Sequence, residues 1–284
     1  MEVVIGKLAG FCKGVEYAVE NAEKNLNGEK VYCLGELVHN RQVVENLEEK
    51  GMITVECIDE IPDGSTVIFR AHGEPKSIYE KAEKKNLKII DLTCGNVKRI
   101  HQKVEKESER SFIIILGKKN HPEVIGTKGF AGENSFVIET EDDILDAYIE
   151  FEKTNLESVY VVAQTTFSSK LFDELSKEIE TNFIEVDVII DKTICMATET
   201  RQKETEEMAN VFHTMVIIGG KNSSNTKELV KLAEKKCENV YAVQTVEDLK
   251  QIDFKGIDKV GIMAGASTPN FSIEKIKKYL EEVR

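Results

Sequence analysis

Six cysteines and five histidines are the side chains of this 284-residue chain with the most chemistry to offer. Three of the cysteines share one local setting. GFCKGVEYAVENAEK at Cys12, LTCGNVKRIHQKVEK at Cys94 and TICMATETRQKETEEM at Cys195 each read as the end of an apolar strand, a cysteine, and then a helix. A thiolate at a helix N-terminus is stabilised by free backbone N–H groups and by the positive end of the helix dipole. The three lie too far apart for a compact ferredoxin-type run or a local zinc finger, so any metal they share must be assembled by the fold. Three thiolates suit an iron–sulfur cluster with one iron left open, and an open iron can act as a Lewis acid towards an oxygen ligand. Any one such thiol by itself reads as a packed residue. Equivalent placement of all three favours a common site, whereas Cys33, Cys57 and Cys237 lack the setting and read as packing or surface residues.

Two further strand–turn–helix passages follow each of the three cysteines. In VYCLGELVHNRQVVENL, FIIILGKKNHPEVIGTKG and TMVIIGGKNSSNTKELVKLA the turns carry His39, His121 and Ser223, which lie 27, 27 and 28 residues after the cysteine of their unit. In TVIFRAHGEPKSIYEKAEK, SVYVVAQTTFSSKLFDELSK and KVGIMAGASTPNFSIEKIKKYL they carry His72, Thr165 and Ser267, at 60, 71 and 72 residues. Helix capping accounts for Ser, Thr or Asn at such turns, but not for His at three of them and Cys at three others.

The turn Gly219 to Thr226 places Ser223, Ser224, Asn225 and free backbone N–H groups at a helix start, a suitable cradle for phosphate. It lacks the spacing of a P-loop, and no G-x-G-x-x-G follows a strand. Taken alone, the turn reads as a capped helix as readily as an anion site; Ser267 and Thr268 before Pro269 repeat it and favour the anion. His39, His72 and His121 can donate to phosphate oxygens or move protons near neutral pH. Glu123, in Asn120-His121-Pro122-Glu123, is a proton source if its pKa is raised beside a metal-bound hydroxyl, and otherwise a surface carboxylate. His101 and His213 fall outside the pattern and read as surface or loop residues, and the acidic stretches 139–146 and 204–207 read as solvated helix faces.

The elements that must position these residues are those of an α/β protein. Short β-branched runs such as Val67-Ile68-Phe69, Ile113 to Leu116, Val159 to Val162 and Val216 to Ile218 each precede helical spacing, the pattern of buried parallel strands. The threefold recurrence predicts three pseudo-equivalent α/β lobes with small parallel sheets, at residues 14–95, 96–193 and 194–284, with strand 1–13 joining the third. Ligands bind beyond the carboxyl ends of parallel strands, so lobes with those ends facing inward converge on a central cavity.

Composition narrows the function further. With 41% apolar residues the chain is not disordered, and no apolar run approaches the roughly 20 residues that span a bilayer. A net charge of −13 and the lack of a basic stripe exclude nucleic acid as a partner. Met1 to Lys7 shows no export signal, so the cytoplasm is the expected compartment, where thiols stay reduced.

Assembled, these residues resemble the LytB (IspH) family, the 4-hydroxy-3-methylbut-2-enyl diphosphate reductases of the methylerythritol phosphate pathway of isoprene biosynthesis. Nine motifs occur in order: Gly-Phe-Cys-x-Gly-Val at 10–15, Val-His-Asn at 38–40, Ala-His-Gly at 71–73, Thr-Cys at 93–94, His-Pro-Glu at 121–123, Gln-Thr-Thr at 164–166, Ile-Cys at 194–195, Ser-Ser-Asn at 223–225 and Ala-Gly-Ala-Ser at 264–267. The resemblance implies a three-lobed fold around a [4Fe-4S] cluster held by Cys12, Cys94 and Cys195, its fourth iron open to the substrate hydroxyl. It implies reductive dehydroxylation of the allylic diphosphate to isopentenyl and dimethylallyl diphosphates, with electrons from reduced ferredoxin or flavodoxin. In that scheme Glu123 supplies protons with help from Thr165 and His121, and His39, His72, His121, Thr165, Ser223, Ser224, Asn225 and Ser267 bind the substrate. Gly95 stands where the family usually has Pro and Met196 where Tyr is common; the glycine is expected to loosen the turn carrying Cys94. Two other readings compete. A quinolinate-synthase-like cluster enzyme does not account for His-Pro-Glu and Ser-Ser-Asn, and a non-catalytic iron–sulfur sensor wants a DNA-binding or signalling segment that is not evident.

Overall fold

A computed structural model describes residues 1–26, 28 and 30–283. The chain opens with strand β1 (Glu2–Ile5) and helix α1 (Lys13–Lys24). A first run follows: β2 (Val31–Leu34), α2 (Arg41–Glu49), β3 (Met52–Val55), β4 (Thr66–Phe69), α3 (Lys76–Lys84) and β5 (Lys88–Asp91). Helix α4 (Gly95–Glu107) leads into β6 (Phe112–Leu116), α5 (Pro122–Ala131), β7 (Ser135–Ile138), α6 (Ile144–Glu152), β8 (Ser158–Ala163), α7 (Ser169–Asn182) and β9 (Asp187–Ile190). Helix α8 (Met196–Ala209) then leads into β10 (Thr214–Ile218), α9 (Ser224–Glu234), β11 (Asn239–Val243), α10 (Val246–Leu249), β12 (Lys259–Ala264) and α11 (Asn270–Glu282).

The strands form three four-stranded sheets, in the orders β3-β2-β4-β5, β7-β6-β8-β9 and β11-β10-β12-β1. Every pairing is parallel, so the same order recurs three times. The strand that completes the third sheet is the first in the chain: β1 pairs with β12 in the register Val3↔Val260. By contact the residues gather into two compact units. The first comprises Met1–Val19, Val38–Asn46 and Met196–Arg284 and holds the β11-β10-β12-β1 sheet; the second comprises Glu20–Leu37 and Leu47–Cys195 and holds the other two sheets.

Parallel strands are covered by helices on both faces and therefore tolerate apolar residues at every position. In β6 this is complete: Ile114 and Leu116 pack with Phe172, Leu175 and Ile179 of α7, while Ile113 and Ile115 pack with Ile100 and Val104 of α4 and Val124 of α5. Alternation of side chains across the strand splits one apolar run between two core clusters. In the third sheet Val216 and Ile218 face Ile273, Ile276 and Leu280 of α11, and Met215 and Ile217 face Met208 of α8 and Leu229 of α9. Among the described residues no helix is long and apolar enough to cross a membrane.

Candidate functional site

The turns that leave the strand ends carry the candidate residues. His39, His121 and Ser223 each lie five residues beyond the last residue of their strand, Leu34, Leu116 and Ile218. His72 and Ser267 lie three beyond Phe69 and Ala264, but Thr165 lies only two beyond Ala163. The positional counterpart of His72 and Ser267 is therefore Thr166, and that of Thr165 is Ala71 and Ala266. This second set has a shared task. The Cys12 N–H donates to the Ala266 carbonyl at 3.1 Å, Cys94 N–H to Ala71 at 3.0 Å, and Cys195 N–H to Thr165 at 3.0 Å. One backbone hydrogen bond thus sets each cysteine against the turn of a neighbouring strand.

In the second unit the helix start after β6 is built by its own sequence. His121 is the N-cap of α5, extended as the residue before a proline must be, and Pro122 fills the first helical position, where no N–H is needed. The His121 Nδ1 accepts the Glu123 N–H at 3.2 Å, so the proton of a neutral ring lies on Nε2. The His72 and His121 rings meet edge to face with centroids 5.4 Å apart. Glu123 is 2% exposed. Its Oε1 accepts the Thr165 N–H at 2.5 Å and its Oε2 accepts the Thr165 hydroxyl at 2.8 Å. Burial pushes the carboxyl up to about 7 against the opposing pull of these two bonds, so it holds a proton over much of the neutral range.

Two of the three helix-start cysteines belong to this unit. Cys94 is the N-cap of α4, and the Asn96 amide in the first turn of that helix donates to the Cys195 sulfur at 3.0 Å. Asp91 holds the approach to Cys94, accepting the Thr93 N–H at 3.0 Å and pairing with Lys98 at 2.8 Å. Thr193 holds the approach to Cys195 through a pair of bonds to the end of β8: its Oγ1 accepts the Ala163 N–H at 2.8 Å and donates to the Ala163 carbonyl at 2.7 Å. Cys12, Cys94 and Cys195 are all half-buried and outside any disulfide. Cys33 differs, because burial pushes its thiol up to about 12, and Cys237 is buried and shifted in the same direction. Cys33 and Cys237 are therefore buried thiols kept protonated, and Cys57 is exposed on the surface.

In the first unit Ser223 caps α9, its hydroxyl accepting the Thr226 N–H at 3.3 Å. Ser267 donates to the His39 carbonyl at 3.2 Å, and a Cβ on Gly220 would fall 2.2 Å from that same carbonyl oxygen, so only glycine allows this approach. Gly219 and Gly265 close on Thr226 Oγ1 in the same way. Asn225 is 3% exposed, and both its amide nitrogen and its amide oxygen are buried with no hydrogen-bond partner among the described residues. Leaving both ends of an amide unpaired is costly, and a polar ligand at this turn would relieve it.

Three readings need correction. His101 is not a surface residue: it is 4% exposed, stacks on Phe130 with centroids 4.4 Å apart, and is held neutral by burial at a pKa of about 4. It fills the space left by Gly73 and Gly126, where an added Cβ would meet its Cε1 at 2.7 Å and its Nε2 at 3.4 Å. Glu204 is not purely solvated, since its carboxylate bonds the backbone of residues 7 and 8. Asp143, within the stretch 139–146, accepts from the Glu139 and Thr140 N–H groups. His101 carried a usable signal, seven residues after Cys94 on the apolar stripe of α4 that includes Val97, Ile100 and Val104.

A family model described as LytB protein matches residues 3–281. The chain is 40% identical over its whole length to the whole of a 4-hydroxy-3-methylbut-2-enyl diphosphate reductase of Clostridioides difficile. Two solved structures are similar. One is the E-1-hydroxy-2-methyl-but-2-enyl-4-diphosphate reductase of Plasmodium falciparum, with TM-score 0.88 and 32% identity, covering 99% of this chain and 87% of that one. The other is an (E)-4-hydroxy-3-methyl-but-2-enyl diphosphate reductase described as the terminal enzyme of the non-mevalonate pathway, with TM-score 0.70 and 40% identity over all of both chains.

Proposed function

Because this chain belongs to the LytB protein family, we propose that it reduces (E)-4-hydroxy-3-methylbut-2-enyl diphosphate to isopentenyl and dimethylallyl diphosphates. The reaction takes two electrons and two protons, breaks the allylic C–O bond, forms a C–H bond and releases water. An iron–sulfur cofactor follows from the family. We assign it as one [4Fe-4S] cluster on Cys12, Cys94 and Cys195, the three half-buried thiols at helix starts. When bound, such a cluster supplies low-potential electrons and an open Lewis-acid iron.

The chain's own residues bind, orient and protonate. His39, His72, His121, Ser223, Ser224, Asn225 and Ser267 are proposed to hold the diphosphate through hydroxyl, amide and ring N–H donors at helix starts. The Asn225 amide, buried with no hydrogen-bond partner among the described residues, supports that role. Glu123 donates a proton to the departing hydroxyl oxygen. Thr165 orients the carboxyl through both of its oxygens, and His121 fixes the backbone of Glu123 through Nδ1. The observation that carries the proposal is this buried carboxyl, poised near pH 7, in a unit that also holds Cys94 and Cys195.

A small-molecule substrate and an electron donor follow from a reductase of this kind; we propose reduced ferredoxin or flavodoxin as that donor, and the cytoplasm as a compartment that keeps the cysteines reduced. The quinolinate-synthase-like and sensor readings are not favoured, since the full-length similarity is to the diphosphate reductases. The test is anaerobic purification, assay of iron and acid-labile sulfide, and turnover of the allylic diphosphate with reduced methyl viologen. Near-stoichiometric cluster with both isoprenoid diphosphates as products is expected. A full cluster without turnover, or no iron after reconstitution, refutes the proposal.

A further inference from the structure

The three cysteines differ in the length of chain that separates them from their strands. Two residues lie between β5 and Cys94 and four between β9 and Cys195, but six, Gly6 to Phe11, lie between β1 and Cys12. A longer loop has more conformational entropy to lose, and its backbone polar groups need partners of their own. The Gly6 N–H reaches Ile262 at 2.8 Å and the Ala9 N–H turns back to Gly6 at 3.1 Å. Two side chains of α8 supply further bonds. Glu204 accepts the Lys7 N–H at 2.7 Å on one carboxylate oxygen and the Leu8 N–H at 2.9 Å on the other. Arg201, 3% exposed, donates from Nε to the Leu8 carbonyl at 2.9 Å and from Nη2 to the Gly10 carbonyl at 2.8 Å. Gly10, at φ +105°, takes a conformation that other residues rarely adopt, and its carbonyl is delivered to the guanidinium two residues before the cysteine.

We infer that Arg201 and Glu204 form a clamp whose task is to place the Cys12 sulfur for its metal. They are positioning residues rather than ligands. The rigid guanidinium fork spans two carbonyls and the carboxylate spans two N–H groups, so the pair restrains four backbone groups of one loop. The helix that supplies them begins directly after Cys195, so the segment that carries one proposed ligand also orders the loop of another. The inference rests on the assignment of Cys12 as a cluster ligand.

The test is made on the cluster-loaded full chain under anaerobic conditions. Iodoacetamide labelling is followed cysteine by cysteine by mass spectrometry, together with the rate of iron release to a chelator. In Arg201→Ala, labelling of Cys12 is expected to rise about tenfold over wild type while Cys94 and Cys195 of the same molecules lag behind, because two charge-assisted bonds to the loop are lost. Glu204→Ala, which leaves the buried arginine in place, is expected to give about a threefold rise at Cys12, and Glu204→Gln, which keeps one acceptor oxygen, to recover part of it. Unchanged Cys12 labelling in Glu204→Ala, or equal acceleration at all three cysteines in both alanine variants, overturns the clamp. Failure of the underlying assignment looks different: wild-type protein would then carry no iron, and its three cysteines would all label freely.

Discussion

Replacing Glu123 by Gln changes one atom in a side chain that is otherwise held in place. The Gln oxygen can still accept the Thr165 N–H, and the Gln amide can donate to the Thr165 hydroxyl where the carboxylate accepted from it. What is lost is the exchangeable proton. With its pKa pushed up to about 7, Glu123 is about half protonated at pH 7. An ordinary carboxyl is protonated there roughly once in 300 molecules. Burial therefore raises the concentration of the acid by about 150-fold, and cutting the proton route costs about 10²–10⁴-fold in turnover. Wild-type turnover driven by reduced methyl viologen should fall about tenfold per pH unit above 7, and the Gln variant should lose that slope along with most of its rate. The same shift has a stability signature. Between pH 4.5 and about 7 the folded chain keeps a proton that the unfolded chain has released, so folding stability falls as pH rises. The integrated loss is about 3 kcal/mol. Glu123→Gln escapes it, so in parallel urea titrations the variant should gain about 3 kcal/mol on wild type between pH 4 and pH 8. A variant rate within about threefold of wild type at pH 7, or a stability difference that is the same at both pH values, would refute the reasoning.

Other perturbations follow the same physics. His101→Phe keeps a ring on Phe130 but removes an imidazole held neutral at about 4. Wild-type stability is present above pH 6.5 and is lost by about 3 kcal/mol as pH falls towards 4, and urea titration should find that acid loss absent from the variant. Gly95→Pro should add about 0.5–1 kcal/mol, read as a higher urea midpoint, because it occupies the first position of α4. Cys94, at φ −55° and ψ 137°, already suits a following proline, and a Cβ at position 95 meets nothing within 4 Å; a lower midpoint would refute this. Asn225→Ala should raise KM for the allylic diphosphate about tenfold without lowering the melting temperature, since the amide has no hydrogen-bond partner among the described residues; a clear fall in melting temperature would count against it. Serine at Cys12, Cys94 or Cys195 should deplete iron and sulfide, whereas serine at Cys57 should not, and equal depletion in all four would undo the division of the thiols.

Much of the architecture was legible in the chain because it repeats. Buried parallel strands demand β-branched runs, helices demand their own spacing, and a unit used three times leaves matching intervals; hence His39, His121 and Ser223 fall at the same distance beyond their strands. Thr165 shows the limit of reading intervals. Its neighbour Thr166 lies 72 residues after Cys94, as Ser267 does after Cys195, yet Thr165 is the residue that bonds Glu123.

By itself, then, the sequence determined the kinds of residue at the strand ends, their order, and the family whose motifs they spell. Tertiary structure alone decided what each became. It buried Glu123 against Thr165 and so moved its pKa, and it turned His101 inward between Gly73 and Gly126. It left the Asn225 amide without a partner among the described residues and brought Arg201 and Glu204 onto a loop nearly 200 residues earlier in the chain. The physical reason is that desolvation and hydrogen-bond satisfaction depend on what surrounds a group in space, and those surroundings come from segments that are remote in the chain.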